Sequence, residues 1–166
     1  MSNSPTEKLL QNLTILIVDS NGYMRRTTRM MLVNLGVRSV IEAADGLAAL
    51  EQIRNCNPDI MLLDWQVPVL NGPEVMRMLR SPGVFPSPNL PAIMLTYIAK
   101  RSHVIEAMRV GVHEFIIKPT SPKTLGDRLM SVVINPRPMM NIGEYYVPKP
   151  RNMSILRDME QRAEAN

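Results

Sequence analysis

Residues Asp59–Gly72 read DIMLLDWQVPVLNG, and this stretch decides the fold. A short apolar run, Ile60 to Leu63, ends on a carboxylate, Asp64, followed by a tryptophan, a Pro and an Asn-Gly turn. The run has the length and composition of a strand buried on both faces, as in a parallel sheet. An acid at the tip of such a strand costs several kcal/mol if buried unpaired. Asp64 therefore sits at a solvated mouth, or has partners there.

Working outward, the same unit recurs along the chain. Leu13–Val18, Arg38–Ala43, Ile60–Leu63, Ala92–Leu95 and Phe115–Ile117 are short and rich in Val, Ile, Leu and Met. Helical periodicity fills the intervals. Asn21–Leu35 carries Met24, Thr28, Met31, Leu32 and Leu35 at spacings of three and four, with Gly36 as its stop. Asp45 is placed to cap a helix bearing Leu47, Leu50 and Ile53. Pro73–Arg80, Lys100–Val110 (stopped by Gly111) and Ser121–Val133 complete the series, the last opened by Ser121 as cap. Ser81–Pro91, SPGVFPSPNLP, is too rich in breakers to be other than a loop. Strand and helix alternate five times, which predicts an α/β sheet with helices on both faces and right-handed crossovers.

The chain has 166 residues, 45% of them hydrophobic and 20% charged, with a net charge of +4. This suits one domain plus tails, of globular composition. With 14 Met and only 4% aromatics, the core is aliphatic and the methionines are core filler. The basic residues form no dense run, which favours an acidic partner surface over nucleic acid. One cysteine, Cys56, excludes an internal disulfide, fits a reducing compartment and reads as a buried thiol. There is no apolar stretch of about 18 residues, so no membrane span or insertion, and no basic-then-apolar leader. A cytoplasmic location is the expectation. The expected organisation is an extension over 1–12, a domain over 13–134 and a tail over 135–166. The tail opens with prolines at 136, 138, 148 and 150, read as extended or irregular. It ends in a short amphipathic helix capped by Asn152, with Ile155, Leu156, Met159 and Ala163 on one side.

In open parallel sheets, ligands bind beyond the carboxyl ends of the strands. Those ends carry Asp19 and Ser20 after the first strand, Asp64 after the third, Thr96 after the fourth, and Lys118 with Pro119 after the fifth. Two acids, a hydroxyl and an ammonium thus converge on one edge. A carboxylate can attack phosphorus to give an acyl phosphate. A second acid helps hold Mg²⁺, an ion that takes oxygen ligands and keeps several waters. A lysine neutralises phosphoryl oxygens.

The motifs LIVDS (Leu16–Ser20), LLDWQVPVLNG (Leu62–Gly72), MLTY (Met94–Tyr97) and FIIKP (Phe115–Pro119) stand in this order and spacing. MRR (Met24–Arg26) and AADGLAAL (Ala43–Leu50) accompany them. Residues 13 to about 133 resemble a response-regulator receiver domain of two-component signalling, of the stand-alone chemotaxis type. The resemblance implies a flavodoxin-like five-stranded parallel sheet, order 2-1-3-4-5, with five helices; the strand order is carried over from the family. It implies Asp64 as phosphoacceptor, charged by a histidine kinase or histidine phosphotransfer protein with Mg²⁺ as cofactor. Asp19, Asp64, the backbone carbonyl of Gln66 and, weakly or through water, Ser20 would hold the metal. Lys118 would pair with phosphoryl oxygens, and Thr96 and Phe115 would be the switch pair. The Lys118–Pro119 bond is of a kind often cis in the family. Such a protein is no enzyme beyond assisting its own phosphorylation and hydrolysis. It signals by protein–protein contact.

Two positions depart from the family pattern. Ser20 stands where a second acid is usual, and a neutral hydroxyl is a weaker ligand for a hard cation. Tyr97 follows the switch threonine where a small residue is usual, and narrows the mouth or shields it from water. These departures favour an alternative: a phosphorylation-independent receiver acting as an interaction scaffold.

The remaining polar residues have plainer readings. Asp59 opens its strand, His103 and His113 are surface residues, and Trp65 lies on the rim of the site. Arg25, Arg26 and Arg29 form a solvated face or a docking surface for the phosphate donor. The tail, with Tyr145 and Tyr146, docks on the domain, pairs two chains as a homodimer or binds the downstream target.

Overall fold

The computed structural model describes residues 4–98 and 100–164; within the last helix, nothing is said of the side chains at 153, 155, 156 and 162–164. The five strands are β1 (Thr14–Val18), β2 (Ser39–Ala43), β3 (Ile60–Asp64), β4 (Ala92–Thr96) and β5 (Glu114–Ile117). They form one parallel sheet in the order β2-β1-β3-β4-β5. The alternating pattern predicts the parallel α/β sheet, and the flavodoxin-like strand order is the one the family resemblance implies.

Period-two alternation decides which helix each strand residue meets. Ile15, Ile17, Ile60, Leu62, Ile93, Leu95 and Ile116 point to one face. They pack there with α1 (Pro5–Gln11), α2 (Gly22–Leu35) and α6 (Pro122–Ile134). Leu16, Val18, Met61, Leu63 and Met94 point to the other, against α3 (Gly46–Cys56), α4 (Gly72–Arg80) and α5 (Arg101–Arg109). Met61, Met76 and Met94 are fully buried, as core filler.

The helix ends follow their caps. The Asn21 side chain accepts from the backbone N–H groups of Tyr23 and Met24, Asp45 from Ala48, and Ser121 from Thr124. Asn71 and Glu74 form a reciprocal capping box at the start of α4. Gly36 ends α2 at φ 109°, a left-handed conformation that suits glycine.

The segments flanking this unit are more ordered than their composition suggests. Ser4 and Glu7 form a capping box for α1, whose Leu10 is buried in the core. The proline-rich stretch is not irregular. It folds as an antiparallel hairpin, β6 (Met139–Ile142) and β7 (Tyr145–Pro148), followed by α7 (Met153–Glu164). The prolines at 136, 138 and 150 fall outside the strands and Pro148 ends β7, so none interrupts the ladder. Asn152 caps α7, accepting from the Ser154 N–H at 2.9 Å. Met159 is fully buried, with Ile142, Val147 and Met108 of α5 around it. The side chains of Ile155, Leu156 and Ala163 lie outside the described set.

Polar contacts fasten the same segment. Arg101 of α5 meets Asp158 at 2.8 Å, Arg151 meets the buried Glu114 at 2.6 Å, and the Tyr146 hydroxyl donates to Asn89 at 2.6 Å. Of the three tail arrangements considered, docking on the domain is the one seen in this chain.

His113, His103 and Cys56 differ from their sequence readings. His113 is buried: it sits under Arg80 of α4 and Arg137 of the tail, and its Nδ1 accepts from the Ala92 N–H at 3.3 Å. His103 is half-buried on the inner side of α5, edge-to-face with Trp65 at 5.0 Å between ring centroids. Cys56 is exposed, because it closes α3 on the solvent side, with its thiol toward Gln52.

Candidate functional site

The strand carboxyl ends open into a cleft of about 190 Å³ lined by Asp19, Ser20, Asp64, Gln66, Thr96 and Lys118, with Asn21, Met24, Tyr97 and Ile98 completing the wall. The predicted acids, hydroxyl and lysine are therefore brought together. Phe115 is not in the wall. It stands half-buried on β5, packed into the core face next to β4.

Lys118 organises the centre. Its side chain is 5% exposed, and Nζ lies 3.1 Å from Asp64 Oδ2 and 3.3 Å from Asp19 Oδ2. One ammonium thus bridges two carboxylates, leaving one net negative charge in a poorly solvated place. The peptide bond from Lys118 to Pro119 is cis. Burial pushes the Asp64 carboxyl above its ordinary value, with the Asp19 charge adding to the rise; Lys118 and a backbone hydrogen bond from Gln66 act against it.

Asp19 is held from both sides. Its Oδ1 accepts from the Asn21 N–H at 2.9 Å, and its backbone carbonyl accepts from Arg25 Nη1 at 2.7 Å. Arg25 and Arg29 also meet Glu42 at 3.4 and 3.5 Å. Arg25 is thus fixed into the site's support, while Arg29 is tied to β2 through Glu42 and the Val40 carbonyl. The sequence reading missed Asn21 as a site residue; its position as helix cap two residues after Asp19 was the available signal.

Thr96 is buried at the end of β4, its hydroxyl accepting from the Ile98 N–H at 3.2 Å. Tyr97 is 63% exposed and lays its ring over Lys118, with Nζ 5.0 Å from the centroid. This is a cation–π contact at the mouth. Trp65 turns away from the cleft toward His103 of α5 and the core, so it is a neighbour of the site rather than its rim.

The loop after Asp64 is pinned. Val69 adopts φ 71°, unusual for a β-branched residue. The Gly46 N–H donates to the Pro68 carbonyl at 3.1 Å, and a Cβ on Gly46 would collide with the Leu70 carbonyl oxygen. Glycine at 46 is what lets this loop close against α3.

The donor set suits Mg²⁺ in kind. It offers two carboxylates, the Ser20 hydroxyl and the Gln66 carbonyl, all hard oxygen ligands, in a cleft roomy enough for retained waters. Ser20 is exposed and supplies no charge, so the carboxylates must provide the electrostatic attraction. Among the described residues, no cluster of three or more His, Cys, Asp or Glu offers an alternative metal site.

Comparisons with known proteins agree with this geometry. The family model of the response regulator receiver domain matches residues 15–130. Chemotaxis protein CheY-3 of Vibrio cholerae is 36% identical over 121 residues, covering 73% of this chain and 92% of that protein. Chemotaxis protein CheY of Pseudomonas aeruginosa is 34% identical, covering 71% and 94%. The receiver domain of a Francisella response regulator superposes with a TM-score of 0.67 at 25% identity, covering 74% of this chain and 98% of that one. A CheY-like receiver domain protein from Methanospirillum hungatei gives 0.66 at 25% identity, covering 74% and 95%. The hairpin β6–β7 and helix α7 lie beyond the matched region. With its sheet order, its strand-end constellation and these relatives in accord, the chain belongs to the response regulator receiver domain family of two-component signalling proteins.

Proposed function

We propose that this chain acts as a single-domain response regulator that accepts a phosphoryl group on Asp64. The Lys118 bridge between Asp64 and Asp19 is the observation that carries this reading. An Asp64 carboxylate oxygen attacks the phosphorus of a phosphohistidine on a kinase or phosphotransfer protein. The P–N bond breaks, the imidazole leaves with the electron pair, and an acyl phosphate forms on Asp64. Lys118 already lies within 3.1 Å of the acceptor and is placed to pair with the incoming oxygens. Thr96 can give up its bond to the Ile98 N–H and donate its own hydroxyl proton to the phosphoryl group. Phe115, on the neighbouring strand, then repacks.

Asp19, the Gln66 carbonyl and Ser20 would hold Mg²⁺, which when bound supplies further neutralisation of phosphoryl charge. The reading takes residues 13–134 as the receiver and residues 135–166 as an accessory tail. Its output is a changed surface read by a partner protein.

Incubation with a small-molecule acyl phosphate donor and Mg²⁺, followed by hydroxylamine-sensitive detection of phosphate on the chain, tests this. Wild type should label stoichiometrically, and Asp64→Asn should not label. Absence of labelling in folded wild type, with either this donor or a phosphohistidine protein, would refute it. Ser20 favours a second reading, a scaffold that never takes phosphate. The discriminating variant is Ser20→Asp. Under the first reading it tightens Mg²⁺ binding and speeds labelling; under the second, labelling stays absent.

A further inference from the structure

The tail meets the domain at two places of unequal strength. The hairpin end is fastened firmly. Ile142 and Val147 are buried, the Tyr146 hydroxyl meets Asn89 at 2.6 Å, and Arg151 meets the buried Glu114 at 2.6 Å. Helix α7 is seated more lightly. Among the described residues, it is tied to α5 by Met159, buried beside Met108, and by the ion pair of Asp158 with Arg101 at 2.8 Å. The Arg101 side chain is 73% exposed, so solvent screens that pair and it holds weakly. A cleft of about 290 Å³ opens between the first turn of α5 and α7, lined by Arg101, Ser102, Ile105, Asp158 and Gln161. The two helices are therefore not close-packed there.

The same turn of α5 is where the neighbours of Asp64 make contact. His103 stands edge-to-face with Trp65, the residue after Asp64. Thr96 lies five residues before Arg101, and its hydroxyl accepts from the Ile98 N–H at 3.2 Å. Helices α2, α3, α4 and α6 each begin on a side-chain cap, whereas Lys100 gives α5 none. The start of α5 is thus held from outside the helix, by Trp65 on one side and Asp158 on the other. It is the joint at which the site and the tail meet.

We propose that phosphorylation of Asp64 undocks α7 while leaving the hairpin in place. The proposal rests on the reading of Asp64 as the phosphoacceptor. A phosphoryl group that draws the Thr96 hydroxyl to itself pulls it from the Ile98 N–H, and the chain leading into α5 re-forms. Trp65, one residue from the modified carboxylate, moves its contact with His103. The first turn of α5 then carries Arg101 off Asp158, and the cleft beside that pair leaves α7 little packing to lose. Release bares Arg101 and Met108 on α5 to a partner protein. Phosphate favours the undocked state, and by linkage an undocked tail favours phosphate by the same factor.

Hydrogen exchange of the α7 backbone amides in the full chain tests this, with Mg²⁺ and beryllofluoride as the phosphoryl mimic. In wild type the mimic should speed α7 exchange by about fivefold or more, the low end of allosteric couplings. Exchange in β6 and β7 should change less than half as much, and Asp64→Asn should show no effect. Met159→Glu, which expels α7 from its apolar seat, should bind beryllofluoride more tightly than wild type by the same factor, read by fluorine NMR. Should that variant not fold, Asp158→Ala combined with Met159→Ala replaces it with the same expected gain. If beryllofluoride does not bind wild type at all, the phosphoacceptor reading fails and this proposal falls with it. If it binds but α7 exchange is unchanged or slower, or the tail variants bind it no more tightly, this proposal alone is overturned.

Discussion

Acidifying this protein from pH 7 to pH 5 should cost stability through one residue, His113. In the folded chain, burial first and then the positive charges of Arg80 and Arg137 lower its pKa to about 3. In the unfolded chain it titrates near its ordinary value of about 6.5. Between those values the unfolded state carries the extra proton and the folded state does not. Stability therefore rises with pH across this window and is lost on acidification, by at most about 1.4 kcal/mol per pH unit. From pH 7 to pH 5 the loss integrates to about 2 kcal/mol.

The control is His113→Asn. Its amide oxygen can still accept from the Ala92 N–H that now donates to Nδ1 at 3.3 Å, and it does not titrate. Other groups, Asp64 among them, contribute equally to both proteins and cancel. Urea unfolding at the two pH values provides the assay. With a denaturant slope of roughly 2 kcal/mol per M, the wild-type midpoint should fall by about 1 M more than the variant's. Equal losses in the two proteins would refute the reasoning. They would mean that His113 is solvated and that Arg80 and the tail do not close over it.

Three further outcomes follow from the packing. Gly46→Ala should destabilise by about 1–3 kcal/mol in thermal denaturation and slow phosphorylation, because its Cβ would strike the Leu70 carbonyl and lift the loop that follows Asp64. Asp64→Asn should raise the melting temperature by a few degrees at pH 7. Burial holds the Asp64 carboxyl above its ordinary value, so the folded state binds that proton more tightly and loses stability as pH rises from about 4. The gain should therefore vanish in calorimetric scans below about pH 3. Arg151→Ala should cost about 1–2 kcal/mol in urea unfolding. Among the described residues, it leaves Glu114, whose side chain is 7% exposed, with Ser131 at 2.9 Å and Arg128 at 3.8 Å.

The sheet was legible because each strand is a continuous apolar run between strong helix signals, and because Asp64 interrupts one of them at its tip. The convergence of Asp19, Thr96 and Lys118 followed from topology alone. What escaped the sequence depends on contacts distant along the chain. His113 follows a helix-ending glycine and looks solvent-facing until Arg80 and Arg137 arrive from elsewhere. The hairpin β6–β7 has too few residues and too many prolines to announce strands. Met159 and Met108 close a small apolar cluster beneath it, and Arg151 and Tyr146 tie it to the domain, contacts that no local pattern shows. Trp65 faces α5 because His103 offers it a ring edge, a pairing no local pattern reveals.

That same pairing makes Trp65 a reporter for the central claim, since it links the residue after Asp64 to α5. The decisive measurement is its fluorescence during titration with Mg²⁺ and then with beryllofluoride, a phosphoryl mimic, in wild type and in Asp64→Asn. A phospho-accepting site predicts a saturable change in wild type that is absent in the variant. A flat response to both additions in folded wild type would contradict the account and leave Asp64 as part of a static scaffold.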